Sequence, residues 1–309
     1  MVAVIFPGQG SQVPGMGQEL CASFPAASVV FDRVSGATGI DVRALCFESD
    51  AEKLRETQNA QLALFTCGLA AWEALRSSVA VVPDAFAGHS IGEYAALVAA
   101  GVMSLAEGAK LVVRRGELMA SAGRDRPGTM AAVLGTDSRP LTIVCETASD
   151  ANSVVVVAND NCPGQVVISG DIEAVKRASE DAITAGAKRV LPLNVSGAFH
   201  SPLMRDSATQ MGVALASAQW DAQTAPVVSN VTAEAVSDSS LWAYLLEQQL
   251  FSSVRWRESM LGIIDGGFDT FIECGSGEVL CGLLKRISKD VTGLSVQDSG
   301  SLEVTVGKL

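Results

Sequence analysis

The sequence predicts an α/β body interrupted by a ferredoxin-like βαββαβ unit, with residues 1–125 and 198–309 in the body and 126–197 in the unit. Three observations carry this prediction. A β-branched first run is stopped by Pro7-Gly8, a strand–turn–helix pattern surrounds Gly88, and six elements alternate between two glycine-containing breaks.

Taken in order, Val2–Phe6 is short, apolar and closed by Pro-Gly, which makes it a buried strand. Residues 81–82 and 85–87 lead into Gly88, and residues 93–100 then form a helix ended by Gly101 at the C′ position. Residues 105–120 read as one helix. After the breaker cluster at 123–128, residues 129–134 form a strand and 141–148 a helix. Residues 153–158 and 165–169 are strands divided by the turn-rich stretch 159–164. An amphipathic helix over 172–185 is closed by Gly186, and a last strand spans 189–195 before Ser196-Gly197.

Composition narrows the function classes. The chain has 309 residues, ample for a core without staples. Hydrophobic residues make up 48% and mean hydropathy is +0.30, which raises the question of a membrane span. The most apolar stretches, 62–72 and 95–105, are broken by Thr, Gly or Ser and fall short of the roughly 18 residues a span requires. Residues 1–11 carry no basic residue before their apolar run, so no signal peptide is expected. Seven scattered cysteines with no CxxC pair point to a reducing cytoplasm and against a disulfide frame or a metal site. With 22 basic and 34 acidic residues the net charge is −12, a field that repels nucleic acid and anionic membrane. Only two histidines, His89 and His200, are available for imidazole chemistry.

Gly88-His89-Ser90-Ile91-Gly92 matches G-x-S-x-G, a sharp strand-to-helix turn that exposes a serine Oγ and needs glycine where side chains would collide. The alternative is a serine N-cap on an ordinary helix. The strand before, the helix after and the absence of proline in the turn favour the nucleophile. Serine needs a base, and the residue preceding it in such an elbow points away from Oγ. By elimination the base is His200, on the loop after the last strand of the inserted unit. One oxyanion donor comes with the elbow, the backbone N–H of Ile91. The turn from Pro7 to Gln12 is either a second source of N–H groups or a plain glycine turn.

Arg115 is a charge in the wrong place. At about 100° per residue, Glu107, Lys110, Arg114 and Glu117 share an arc of roughly 80°, whereas Arg115 falls among Leu111, Leu118 and Met119. A buried guanidinium requires a partner. That partner is either an internal acid or the carboxylate of a substrate held bidentately.

The ordered motifs Phe6–Gln12, Gly88–Glu93, Arg115-Gly116, 128–132, 161–168, 198–204, Gln249 with Val254-Arg255-Trp256, and 273–277 resemble malonyl-CoA:acyl-carrier-protein transacylases of fatty acid and polyketide synthesis. The resemblance covers essentially the whole chain; Cys162 departs from the small residue usual there. It implies an α/β-hydrolase-like body with the ferredoxin-like subdomain. It also implies Ser90 as acyl acceptor, His200 as base, Gln9 and Ile91 as oxyanion donors, and Arg115 as ligand of the malonyl carboxylate. Gln249 matches a position whose backbone carbonyl orients the histidine, in place of an acidic triad member, and Phe199-His200 resembles the malonyl-selective form. The implied partners are malonyl-CoA and acyl carrier protein, with no cofactor; nothing in the sequence suggests an obligate dimer, so a monomer is expected. A serine hydrolase on the same elbow would instead carry Ser…Asp…His and an HGGG-type loop, and the sequence has neither. Carrier proteins are acidic, so docking on a chain of charge −12 must be local. The basic clusters are Lys188-Arg189, Lys285-Arg286 and Arg255 with Arg257, which form either a docking patch or ordinary solvated faces.

Overall fold

Two sheets organise the chain in the computed structural model, which describes all 309 residues. In chain order the strands are β1 (Val2–Phe6), β2 (Ala85–Gly88), β3 (Gly128–Leu134), β4 (Val155–Cys162), β5 (Gln165–Asp171), β6 (Arg189–Pro192), β7 (Val227–Val228), β8 (Ala235–Val236), β9 (Thr270–Cys274) and β10 (Thr292–Val296). The first sheet has the order β10-β9-β1-β2-β7-β8 and is parallel except for β8. In β1, Ala3 through Phe6 are all buried, as expected of a parallel strand covered on both faces. Alternation splits them. Val4 and Phe6 join the main core with helices Thr57–Ser78 and Leu105–Asp125, while Ala3 and Ile5 face Trp256, Met260 and Leu283 on the other side.

The second sheet is antiparallel, in the order β4-β5-β3-β6. One face packs Val133 and Ile168 against Leu141 of helix Ser138–Ala148 and Val175 of helix Ile172–Thr184, making a core of its own. The opposite face sends Met130 and Val167 into the main core. Where β4 slips register against β5 between Val157 and Asn159, the freed backbone pairs with the body instead. Val254 N–H donates to Ala158 O at 2.8 Å, and Asp160 N–H donates to Val254 O at 3.0 Å. The two connections between sheets also cross in contact, since a Cβ on Gly123 would lie 1.7 Å from Ser196 O.

The expected six-element order of the middle segment is present with shifted bounds: β4 runs through Cys162, so only Pro163-Gly164 remain of the expected turn 159–164, and the first helix starts at Ser138; other bounds differ as well. The helix from Leu105 continues to Asp125. The last strand stops at Pro192, which has no N–H, although Leu193 N–H still reaches Met130 O. Val82 lies outside β2 and is 86% exposed, because Pro83 separates it from the ladder. All seven cysteines are free, and no helix is long and apolar enough to cross a membrane.

Candidate active site

Parallel pairing places the ends of β1 and β2 side by side, with Phe6 opposite Gly88 and His89 N–H donating to Phe6 O at 3.0 Å. The turn from Pro7 and the elbow at Ser90 therefore leave the same sheet edge, the carboxyl edge where α/β sheets bind ligands. Ser90 has φ 52°, a left-handed conformation unusual for a residue with a side chain. Both flanking glycines are obligatory. A Cβ on Gly88 would lie 2.0 Å from the Gly92 carbonyl, and one on Gly92 would lie 2.2 Å from Phe6 O. Asn230 straps the elbow, accepting from Ser90 N–H at 2.7 Å and donating to Gly88 O at 2.7 Å.

Ser90 Oγ lies 2.8 Å from His200 Nε2, and His200 Nδ1 lies 2.8 Å from the backbone carbonyl of Gln249. A carbonyl only accepts, so Nδ1 carries the proton and Nε2 presents its lone pair to the serine hydroxyl. Burial, reinforced by the Arg115 cation, pushes His200 down to about 3. It is neutral at physiological pH, the state a base needs. His89 turns elsewhere, with Nε2 2.9 Å from Asn161 Oδ1 and its ring against Trp256.

Arg115 is 1% exposed, and no carboxylate lies within ion-pair distance. Of the two partners open to it, the internal acid is absent at contact range. Nη1 donates to Gln61 Oε1 at 2.7 Å, and Nη2 donates to Gln249 Oε1 at 2.9 Å and Ser90 Oγ at 3.1 Å. Nε has no partner. The guanidinium lies 5.6 Å from the Tyr94 ring centroid. The unpaired Nε–H is buried, on the same edge of the guanidinium as Nη2, which points at the serine; that edge has the two-donor geometry a planar anion takes.

Gln9, Ser90, Ile91, Arg115 and His200 line one cavity of about 520 Å³, whose other wall comes from the antiparallel sheet through Met130, Asn159 and Val167. Neither Gln9 nor Ile91 gives its backbone N–H to another group of the protein. The turn after β1 thus contributes to the cavity lining a residue whose N–H is not spent within the protein.

Two residues that hold this site were not singled out from sequence. Asn230 lies far along the chain from the elbow and carries no local signature. Glu93, inside the quoted motif, is fully buried, and burial lifts its carboxyl to about 8 against the pull of Asn230, Gln249 and Arg115. Its signal was an acid among the apolar residues Tyr94 to Leu97.

The basic dipeptides are partly gathered. Lys188 packs over Gly135 and Arg286 beside Gly164, and these two glycines are hydrogen-bonded to each other. Arg286 donates to Gln165 Oε1 at 2.6 Å and Pro163 O at 2.8 Å, and Gln165 also lines the cavity. Arg257 reaches the same corner but is paired with Asp137 at 3.0 Å. Lys285 and Arg189 are exposed. Arg255 is occupied elsewhere, by Glu258 and the carbonyls of Val231 and Thr232.

Fold and site together define an acyltransferase, and the family model for the acyl transferase domain matches residues 3–308. Malonyl CoA-acyl carrier protein transacylase of Bacillus subtilis is 42% identical over 308 residues, covering 100% of this chain and 97% of its own. Among solved structures, an acyl carrier protein S-malonyltransferase from Vibrio cholerae is 38% identical with a TM-score of 0.94, covering 98% of this chain and 99% of that one. A malonyl-transacylase in complex with its type II PKS acyl-carrier protein is 36% identical with a TM-score of 0.95, covering 100% and 99%. The chain belongs to the malonyl CoA-acyl carrier protein transacylase family.

Proposed function

We propose that the chain moves a malonyl group from malonyl-CoA to the phosphopantetheine thiol of acyl carrier protein through a malonyl ester on Ser90. The observation that carries this is the convergence of two partners on one oxygen: Ser90 Oγ meets the His200 base at 2.8 Å and Arg115, which has no carboxylate at contact range, at 3.1 Å. A base alone suits any acyl transfer. A buried cation beside it suits an acyl group that ends in a carboxylate.

In the first half-reaction His200 Nε2 takes the Ser90 proton as Oγ bonds to the thioester carbonyl carbon. The oxyanion faces the N–H groups of Gln9 and Ile91. Collapse breaks the C–S bond, and His200 returns the proton to the CoA thiolate. Arg115 exchanges its serine contact for the malonyl carboxylate through Nε and Nη2. In the second half-reaction the carrier thiol gives its proton to His200, its sulfur attacks the ester, and Ser90 leaves with the proton. One acyl-enzyme serves both halves, so the kinetics are ping-pong. Gln249 acts through its carbonyl, holding the Nδ1–H tautomer as an acidic triad member does elsewhere. Each step uses only groups of the chain and its two substrates, and none calls for a cofactor.

We read the architecture as an α/β-hydrolase-like body, residues 1–125 and 198–309, with a ferredoxin-like subdomain over 126–197. The strand order β4-β5-β3-β6 and the separate core of that sheet support the reading. We place carrier-protein docking on Lys188, Arg189, Lys285 and Arg286, whose corner adjoins the cavity through Gln165.

The test follows malonyl-CoA consumption with and without holo acyl carrier protein, in wild type and in a charge-reversed Lys188→Glu/Arg286→Glu variant. Wild type should deliver malonyl to the carrier thiol faster than to water. Charge reversal should raise the carrier-protein KM by about tenfold, the scale of a lost rim charge pair or two, and spare release of CoA. Hydrolysis outpacing transfer would make the chain a thioesterase. Equal damage to both half-reactions would remove the docking assignment.

A further inference from the structure

The guanidinium of Arg115 lacks a carboxylate at contact distance, yet one stands a single amide away. Glu93 Oε2 accepts from Gln249 Nε2 at 2.6 Å, and Gln249 Oε1 in turn accepts from Arg115 Nη2 at 2.9 Å. The other oxygen of Glu93 accepts from Asn230 N–H at 2.6 Å. Burial lifts this carboxyl to about 8, but both of its oxygens face N–H donors and neither has an acceptor to which a proton could be given, so the hydrogen-bond geometry holds the charged form against burial. Glu93 and Gln249 are wholly buried, so no water is needed to complete either residue's bonds.

The amide of Gln249 has two orientations, and its neighbours permit one. Turned over, it would set its oxygen against the Glu93 carboxylate and its NH2 against the Arg115 guanidinium. As found, the amide dipole runs from anion to cation, and Nε2 also donates to the backbone carbonyl of Ser90 at 2.9 Å. Around Arg115 the other titratable groups are Tyr94, beneath the guanidinium, and His200, which shares Ser90 with it. Neither fixes the amide.

We propose that Glu93 is a positioning residue for acid recognition, a remote counter-ion that orients the Gln249 amide and thereby holds Arg115 beside Ser90 with its Nε–H free. The inference rests on the reading of Arg115 as the ligand of the malonyl carboxylate. Glu93 touches neither the substrate nor the reacting atoms. A direct Glu93–Arg115 pair would satisfy the cation and compete with the substrate. One intervening amide compensates the charge and leaves the fork open. His200 depends less on this link, because its partners on the same segment are the backbone carbonyls of Gln249 and Leu250.

Glu93→Gln is the direct test. Whichever way the new amide turns, the negative charge is lost and its NH2 meets the N–H of Asn230 or of Gln249, so the counter-ion disappears and one of the two links is broken. The ratio of kcat/KM for malonyl-CoA to that for acetyl-CoA should fall at least about tenfold, as expected for loss of a hydrogen bond to a charged group, and the fall should reside in the malonyl-CoA KM. A purely structural role would reduce the amount of active enzyme, scale both substrates together and leave the ratio unchanged. Gln249→Leu breaks the same link while keeping Glu93, and serves if Glu93→Gln does not fold. It should lower the ratio comparably, and the double variant should fall no further than the worse single one. A ratio within about twofold of wild type in whichever variants fold overturns the proposal. If wild type itself shows no malonyl preference, the Arg115 reading fails. If wild type discriminates and the variants discriminate equally, only the role of Glu93 fails.

Discussion

Replacing His200 by alanine is expected to slow acylation of Ser90 by at least about 100-fold, the lower end of what a positioned general base contributes. Malonyl-CoA binding should persist, because the cavity wall and Arg115 remain. Rapid-quench measurement of CoA release separates the two effects. The pH dependence is equally specific. His200 is held down at about 3 from an ordinary value of 6.5, first by burial and then by Arg115. The base therefore keeps its lone pair throughout the neutral and mildly acid range, and wild-type acylation should show no inflection near pH 6.5. Unfolded chain binds a proton at this residue below about 6.5 and folded chain does not, so its stabilising contribution is complete above that pH and fades as pH falls toward 3. A rate inflection near 6.5 that disappears in His200→Ala would show that the site titrates as an exposed histidine.

Replacing Arg115 by alanine is expected to cost malonyl transfer about 100-fold in kcat/KM, the scale of two hydrogen bonds to a charged group at roughly 1.5 kcal/mol each. Acetyl transfer should rise relative to malonyl, because an acetyl group has no carboxylate to satisfy a buried cation and the variant has no cation to satisfy. Lysine at this position should recover little, since a point charge reproduces neither the fork nor the bonds to Gln61 and Gln249. Unchanged acetyl-to-malonyl ratios across wild type, Arg115→Ala and Arg115→Lys would remove this arginine from substrate recognition. In that case its unbonded Nε would have no explanation from the chemistry.

The parts of the site legible in the sequence were those written locally. The elbow was visible because a strand, two glycines and a helix must be contiguous to expose Ser90. Arg115 was visible because a helix period shows which face a charge occupies. His200 was reached by elimination in a chain with two histidines. Long-range contacts were not legible in this way. Asn230 and Gln249 reach the elbow only through the order of the parallel sheet and the packing of helix Trp242–Gln249, and nothing at positions 230 or 249 announces that by itself. Resemblance supplied Gln249 but not its side chain, which proves to touch Arg115, Glu93 and Ser90. In the fold, the middle segment was readable because antiparallel strands and turns follow one another closely. Strands β9 and β10 have no counterpart in the sequence reading, since β9 pairs with β1 more than two hundred positions away and β10 joins the sheet only through β9. The basic dipeptides were visible as charges, but only the glycine turns at Gly135 and Gly164 bring Lys188 and Arg286 to one corner.

The central claim is a covalent one, that Ser90 carries the acyl group between two thiols. Mass spectrometry of the intact protein after mixing with malonyl-CoA, without carrier protein, tests it most directly. The expected result is a single malonyl adduct on the peptide containing Ser90, one CoA released per chain, no adduct on Ser90→Ala, and loss of the adduct when holo acyl carrier protein is added. An unmodified Ser90 peptide while malonyl still reaches the carrier thiol would contradict it, and would mean that the transfer is direct.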